Sequence, residues 1–257
     1  MYMDKGEKYR RIRLLGRGAF AKVYLVEDPA GRIYACKVCE QAELSDREAG
    51  FQRETDHPLF PALLDFWREE DRGCLLMEYV PGESLESILR REGALREEKA
   101  AEIGVRLAEG LMYLHEKEKP LIFRDVKPSN VMLMPEGGVK LVDFGCVCPP
   151  GKRDDRAGTP GFGAPEQFEP GGIHTVAADV YGLGRTLQEM TGRNCRGLLK
   201  RITDRCTAPG PEERLPNMWE TAGLLRLCTG KRKGRMSARQ RAVLRGEIRM
   251  VKEIYYI

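Results

Sequence analysis

The chain has 257 residues, 42% of them hydrophobic and 32% charged, with a formal net charge of +4. That length can bury one large core or two lobes. No apolar run approaches the ~20 residues a membrane-spanning helix needs, and the start, MYMDKGEKYRRIR, lacks the apolar stretch of a secretory leader. A cytoplasmic location is the expectation. The charge is uneven: from Arg226 onward ten Lys and Arg face two Glu, so the first 225 residues are net negative. No nucleic-acid partner is expected, because the basic character belongs to the tail.

Taken in chain order, the first eighty residues read as strands with one helix. RRIRLLG, AKVYLVED and RIYACKVCE are β-branched and aromatic runs separated by turn signals such as DPAGR. Residues 44–56 lack strand alternation and read as a helix ended by His57-Pro58. CLLMEYV is a further strand, stopped by Pro81-Gly82. Beyond it the pattern turns helical. SLESILRREG and 96–115 carry apolar residues at three- and four-residue spacing, the second with a stripe of Ala100, Ile103, Leu107, Leu111 and Leu114. Further helices are expected at 175–191, 195–207 and 217–228. The boundary between the β-rich and helical parts falls near residue 81.

Eight cysteines are scattered through the chain. Cys36 and Cys39 form a C-x-x-C, but residues three apart on a strand face opposite sides. No second pair completes a four-ligand zinc set, so the thiols are expected to be reduced and metal-free.

Three stretches carry chemistry. LLGRGAFAKVYLV sets Gly16 and Gly18 between two strands, where glycine lets a backbone approach a phosphate. In RIYACKV the period of two puts Ile33, Ala35 and Lys37 on one face. Lys37 then projects from an apolar strand and needs a carboxylate or phosphate partner unless it is a solvated edge residue. Glu48, in the following helix, is the candidate carboxylate. LIFRDVKPSNVML packs Arg124, Asp125, Lys127 and Asn130 between two apolar runs, far more charge than a hairpin turn requires.

Together these residues resemble the protein kinase family. Gly16, Gly18, Ala21 and Val23 match the Gly-rich loop G-x-G-x-x-G-x-V, with Ala21 in place of the third glycine. Lys37 matches the strand lysine and Glu48 its ion-pair partner. FRDVKPSN resembles the catalytic loop, with Phe123 in the histidine place. Asp143-Phe144-Gly145 matches D-F-G and Ala164-Pro165-Glu166 matches A-P-E. DVYGLG, with Asp179, resembles the helix that anchors the catalytic loop, and Arg214 matches the arginine that pairs with the A-P-E glutamate. The motifs occur in the family's order over roughly residues 10 to 225.

The resemblance implies a two-lobed α+β fold, with a small β-rich N-lobe at about 1–80 and a larger helical C-lobe at about 81–225. Residues 226–257 would form a basic C-terminal segment. It implies transfer of the γ-phosphate of ATP, with Mg²⁺ or alternatively Mn²⁺, to Ser or Thr hydroxyls of a protein substrate. Asp125 would take or orient the acceptor's proton, and Lys127 would neutralise the transferring phosphate. Asn130 and Asp143 would be the metal ligands, and Lys37 would hold the α/β-phosphates. Gly16, Arg17, Gly18, Ala19, Phe20 and Ala21 would cover the phosphates. Val23, Ala35 and Met132 would sandwich the adenine, with Met77 as gatekeeper and backbone groups of Glu78 and Val80 reading the base edge. Lys127 and Thr159 place the chain with Ser/Thr kinases, and GTPGF-APEQ is most similar to bacterial kinases of eukaryotic type. A pseudokinase scaffold and a small-molecule phosphotransferase are the alternatives. Pseudokinases typically lack one of the lysine and two aspartates retained here, and small-molecule phosphotransferases generally lack A-P-E.

Several positions depart from the pattern. CVCPPGKRDDRAG, between Gly145 and Thr159, has no Ser, Thr or Tyr, so the loop phosphate that commonly pairs with an arginine such as Arg124 has no acceptor. Asp154 or Asp155 could supply a fixed charge instead, or both could be solvated. Gln52 stands where an apolar residue usually stacks on the D-F-G phenylalanine, so either the helix is rotated or the stack is imperfect. The interval from Lys37 to Glu48 is short, and little chain separates the DVYGLG helix from the next. In the tail, Ser237 with Gln240 forms a capping box. Leu244, Ile248, Val251 and Tyr255 form an apolar stripe that either docks on the large lobe or meets a partner or acidic membrane surface.

Overall fold

The computed structural model describes residues 8–153, 157–230 and 236–246. They fall into two compact units. The first runs to Gly82 and takes in Val142–Gly145; the second comprises Glu83–Leu141 and continues from Cys146.

The first unit is one antiparallel sheet and one helix. Its strands are β1 (Arg10–Arg17), β2 (Ala21–Glu27), β3 (Ile33–Cys39), β4 (Leu63–Glu69) and β5 (Arg72–Glu78), in the order β1-β2-β3-β5-β4. Helix α1 (Ala42–Arg53) packs on β5. The period of two in β3 decides what each face does. Cys36 joins Val26, Cys74 and Leu76 on one face, while Cys39 joins Ala49 and Leu75 on the other. The C-x-x-C is thus split across the sheet, and among the described residues no three His, Cys, Asp or Glu are grouped to hold a metal. On the Cys36 face, Tyr9 stacks on Trp67 at 5.8 Å and meets Tyr34 edge-on at 6.1 Å.

Strand β4 was not expected from the sequence. Its register shifts between Leu63 and Asp65, so LLDFWRE lacks the regular alternation that marks a strand.

Gly73 on β5 sets how closely α1 can approach. A Cβ there would stand 1.7 Å from Ser45 Oγ and 2.4 Å from Ser45 Cβ. Gly73→Ala must therefore push α1 off the sheet, and overpacking of this kind costs about 1–3 kcal/mol. Thermal unfolding is expected to register that loss, together with weaker binding of an ATP analogue as Glu48 moves. An unchanged Tm would contradict the close contact.

The second unit is mainly helical. Short strands β6 (Glu83–Ser84), β7 (Val131–Leu133) and β8 (Val139–Leu141) form a three-stranded antiparallel sheet. Its helices are α2 (Leu85–Glu92), α3 (Glu97–His115), α4 (Val176–Thr191), α5 (Gly197–Cys206), α6 (Met218–Leu225) and α7 (Ala238–Arg245), of which α2 and α3 pack on the small sheet. The expected stripe on α3 is buried throughout. Gly104 lets α3 close on α4 and α6, since a Cβ there would lie 2.8 Å from Leu187 and 3.2 Å from Leu225. Only a 3₁₀ turn, Gly192–Asn194, lies between α4 and the residues leading into α5. Among the described residues no helix is long and apolar enough to cross a membrane.

The start of α7 carries the expected capping box of Ser237 and Gln240. The helix packs on α5 and α6, burying Val243 and Leu244. It then ends at Gly246, which takes the left-handed conformation at φ 78. Of the expected apolar stripe, Leu244 is buried on this helix, and Ile248, Val251 and Tyr255 lie outside the described residues. Arg239 donates to Glu220, a carboxylate whose side chain is 2% exposed on α6. Arg239→Ala leaves that buried charge without this partner and is expected to cost about 1–3 kcal/mol, measurable as a lower Tm. No change would mean that α7 merely rests on the lobe.

All eight cysteines are free. Burial pushes the thiol of Cys39 up to about 11 and that of Cys206 up to about 12, from an ordinary value near 8.5. The folded state thus keeps protons that the unfolded chain releases. These thiols contribute full stability below about pH 8.5 and lose it progressively as pH rises toward their folded values. Urea unfolding at stepped pH should show stability falling above about pH 9, less steeply in Cys206→Ala; equal slopes would contradict the buried thiol.

Candidate active site

The nucleotide-binding candidates lie mostly in the first unit. Gly16 and Arg17 end β1, and the turn to β2 is closed by the Gly18 N–H donating to the Ala21 carbonyl at 2.8 Å. A Cβ on Gly16 would meet nothing within 4 Å, and one on Gly18 only Ala21 O at 3.7 Å. The protein's own packing does not demand these glycines, so what they keep clear is the approach from outside. Ala19 and Phe20 form the exposed tip. Ala35 and Val80 are buried, while Val23 and Met77 are half-buried. The Glu78 N–H donates to the Ala62 carbonyl at 2.9 Å. Met132 lies on β7 in the second unit.

Lys37 is 8% exposed on β3, and its Nζ meets both carboxylate oxygens of Glu48, at 2.7 and 2.8 Å, and Asp143 Oδ1 at 2.6 Å. Burial works against the ammonium charge, but the Asp143 and Glu48 carboxylates outweigh it and hold Lys37 protonated well above the ordinary lysine range. Burial raises Glu48, and the Lys37 charge and the Phe144 N–H oppose that rise. With both oxygens on the ammonium, we take the pair as ionised. Asp143 adopts φ 77, a left-handed strain typical of functional positions. Its side chain is 46% exposed. Mg²⁺ usually takes one or two protein oxygens and leaves its other positions to water and phosphate. A half-exposed carboxylate without a protein cage fits that habit.

The departure at Gln52 has a physical outcome. Because Glu48 reaches Lys37, α1 is not rotated away. Gln52, one turn on, is buried and donates to the Pro61 carbonyl at 2.9 Å, while its Oε1 has no partner. Phe144 instead packs edge-on against Phe60, with ring centroids 5.2 Å apart. Sequence reasoning missed Phe60, which had only its position after His57-Pro58 to mark it.

The catalytic-loop candidates lie in the second unit. Asp179 on α4, wholly buried, accepts from the backbone N–H of Phe123 at 2.8 Å and of Arg124 at 2.6 Å, and pairs with His115 Nε2 at 2.8 Å. It thereby holds Arg124 at φ 68, again left-handed. Thr186 Oγ1, also from α4, donates to the Val126 carbonyl at 3.0 Å. The loop is thus bolted to a helix on both sides of Asp125.

Asp125 gathers the remaining predicted groups of this unit. Thr159 Oγ1 donates to Asp125 Oδ1 at 2.7 Å, and Lys127 Nζ lies 2.7 Å from Oδ2 and donates to Thr159 Oγ1 at 2.6 Å. Asn130 Nδ2 donates to the Asp125 carbonyl at 3.0 Å and to Oδ2 at 3.1 Å, which leaves its amide oxygen for another ligand. Carboxylate, ammonium and amide thus converge on one point, the arrangement needed to orient a hydroxyl and neutralise a moving phosphate.

Glu166 and Arg214 form a bidentate pair at 2.7 and 2.8 Å, and Arg214 also donates to the carbonyls of Ala177, Ala208 and Pro209. The Arg124 guanidinium donates from Nε to the Cys146 carbonyl and meets His174 Nδ1 at 2.8 Å. Asp154 and Asp155 lie outside the described residues. His174 and Gln167, buried beside the catalytic loop, were not found from the sequence. Only the position of Gln167 directly after A-P-E could have drawn notice to it.

Comparison with known proteins identifies the family. The protein kinase domain profile matches residues 9–197, and the chain belongs to that family. It is 35% identical over 193 residues to the human RAC-beta serine/threonine-protein kinase, covering 70% of this chain and 39% of that one. The same figures hold for the mouse protein of that name and for RAC-beta serine/threonine-protein kinase A of Xenopus laevis. The chain thus spans about two fifths of the length of these curated relatives.

Proposed function

We propose that the protein is a Ser/Thr protein kinase that transfers the γ-phosphate of ATP to hydroxyls of protein substrates. The observation that carries this reading is the cluster at Asp125, where Lys127, Asn130 and Thr159 all converge on one carboxylate. In the first unit, the intact Lys37–Glu48 pair supports nucleotide binding.

In this mechanism Lys37 binds the α/β-phosphates and Glu48 keeps its ammonium in place. The Gly-rich turn covers the phosphates with backbone N–H groups, which a glycine leaves accessible. Asp125 orients the acceptor hydroxyl and takes its proton at a carboxylate oxygen as the phosphoryl group moves. Lys127 stabilises charge on that group, and Thr159 keeps Asp125 and Lys127 in register. Asp143 and Asn130, through its amide oxygen, are the residues that would hold Mg²⁺, which when bound would supply charge neutralisation for phosphoryl transfer. A cytoplasmic location and a role for the basic tail in meeting a partner or acidic surface belong to the same proposal.

Incubation with ATP, Mg²⁺ and peptides differing only in carrying Ser, Thr or Tyr tests the acceptor class. Label on Ser and Thr peptides is expected. Label confined to Tyr, or to a small molecule in place of every peptide, would overturn the assignment.

A further inference from the structure

The segment between Gly145 and Thr159 offers no hydroxyl to phosphorylate, yet Asp125 and Thr159 meet at 2.7 Å. Something built into the fold must hold the two segments together. Resting on the kinase reading, we infer that Gln167 is the positioning residue that sets the spacing between Asp125 and Thr159.

Gln167 is 1% exposed, and its carboxamide is used at both ends. Oε1 accepts from the Ala164 N–H at 2.8 Å, and Nε2 donates to the Arg124 carbonyl at 2.9 Å and the Ala157 carbonyl at 2.6 Å. Those two carbonyls belong to the segments that must meet. Arg124 immediately precedes Asp125, and Ala157 lies two residues before Thr159. One amide nitrogen therefore ties the catalytic loop to the loop that carries its threonine.

The Arg124 peptide is held from both sides. Its N–H is fixed by Asp179 and its carbonyl by Gln167, with the residue at φ 68 between them. A left-handed non-glycine conformation persists only where its surroundings over-determine it. Gly158 completes the fit. It takes φ 120, and a Cβ there would stand 2.6 Å from Gln167 Nε2 and 3.1 Å from the Arg124 carbonyl. The carboxamide sits where a side chain at 158 would otherwise intrude. Because it is part of the chain, this tie needs no covalent modification to form.

Two variants test the assignment. Gln167→Glu keeps length and the acceptor for Ala164 but turns lone pairs toward two carbonyls. Gln167→Met keeps length and removes the polar atoms. Each is assayed for kcat, for KM of ATP and of the peptide, for binding of an ATP analogue and for folded fraction by thermal unfolding, beside wild-type protein shown by intact mass to be unphosphorylated. Misplacing a reacting group by about 1 Å costs on the order of 100-fold. Both variants are expected to lose ten- to hundredfold in kcat per folded molecule, with KM for ATP and analogue binding within about twofold of wild type. Wild-type kcat in either variant, or a loss that only tracks folded fraction, would overturn the role. A wild-type protein that transfers no phosphate in the same assay would instead overturn the kinase reading, and this role with it.

Discussion

Asp125→Asn is expected to fold as the parent does, to bind ATP as tightly, and to lose phosphoryl transfer by about 10²–10⁴-fold, the usual contribution of a positioned acid or base. The substitution is nearly isosteric. The new amide keeps one oxygen to accept from Thr159 or Lys127, so the loop retains much of its geometry. What disappears is the second acceptor oxygen and the charge that can take a proton from the incoming hydroxyl. The backbone stays pinned, because Asp179 grips the Phe123 and Arg124 N–H groups and not the Asp125 side chain. A kcat reduced less than tenfold would mean that another group accepts the proton and that the cluster at Asp125 is structural.

The second large effect concerns stability. Arg214→Met should unfold at a much lower temperature, because it strands the Glu166 carboxylate in the interior. The Arg214 side chain is wholly buried and Glu166 nearly so. Removing one partner of a buried pair costs about 3–5 kcal/mol. At roughly 2–4 °C per kcal/mol for a domain of this size, Tm should fall by roughly 6–20 °C. Arg214 also donates to three carbonyls and lies over the Tyr181 ring at 4.9 Å, which places the effect toward the upper end. Adding Glu166→Gln to Arg214→Met should recover part of the loss, since the stranded charge is then gone. A single variant within 1 kcal/mol of wild type would show the pair to be solvated. No recovery in the double variant would assign the cost to the carbonyl contacts instead.

How much of this was legible in the sequence depended on whether a residue's role is set by its neighbours in the chain. Lys37 could be found because β3 alternates strictly, so a cation on the small-residue face demanded a partner. Glu48 follows because α1 is short and continuous. The catalytic loop announced itself through charge density between apolar runs. Strand β4 did not, since its bulge at Leu63–Asp65 breaks the period of two. Gln52 was noticed as an oddity, but its resolution through Pro61 and Phe60 depends on a loop whose path no local pattern encodes. Gln167 and His174 are harder still. Each meets a segment 43 or 50 residues away, and a neutral amide or a lone imidazole carries no sequence signal of its partner. Composition marked the tail as basic, whereas Arg239 matters through the buried Glu220, which looks in the sequence like any other surface acid.

The most direct measurement for the central claim is transfer of label from γ-labelled ATP with Mg²⁺ to a generic Ser/Thr acceptor protein, run beside Asp143→Asn. Asp143 meets Lys37 at 2.6 Å and leaves much of its carboxylate exposed for a metal, so the substitution should remove the metal ligand while sparing the fold. The account predicts labelled acceptor with the wild-type protein and a loss of at least 100-fold with Asp143→Asn, at equal folded fraction. Equal labelling by both proteins, or nucleotide binding by the wild type with no transfer at all, would contradict it.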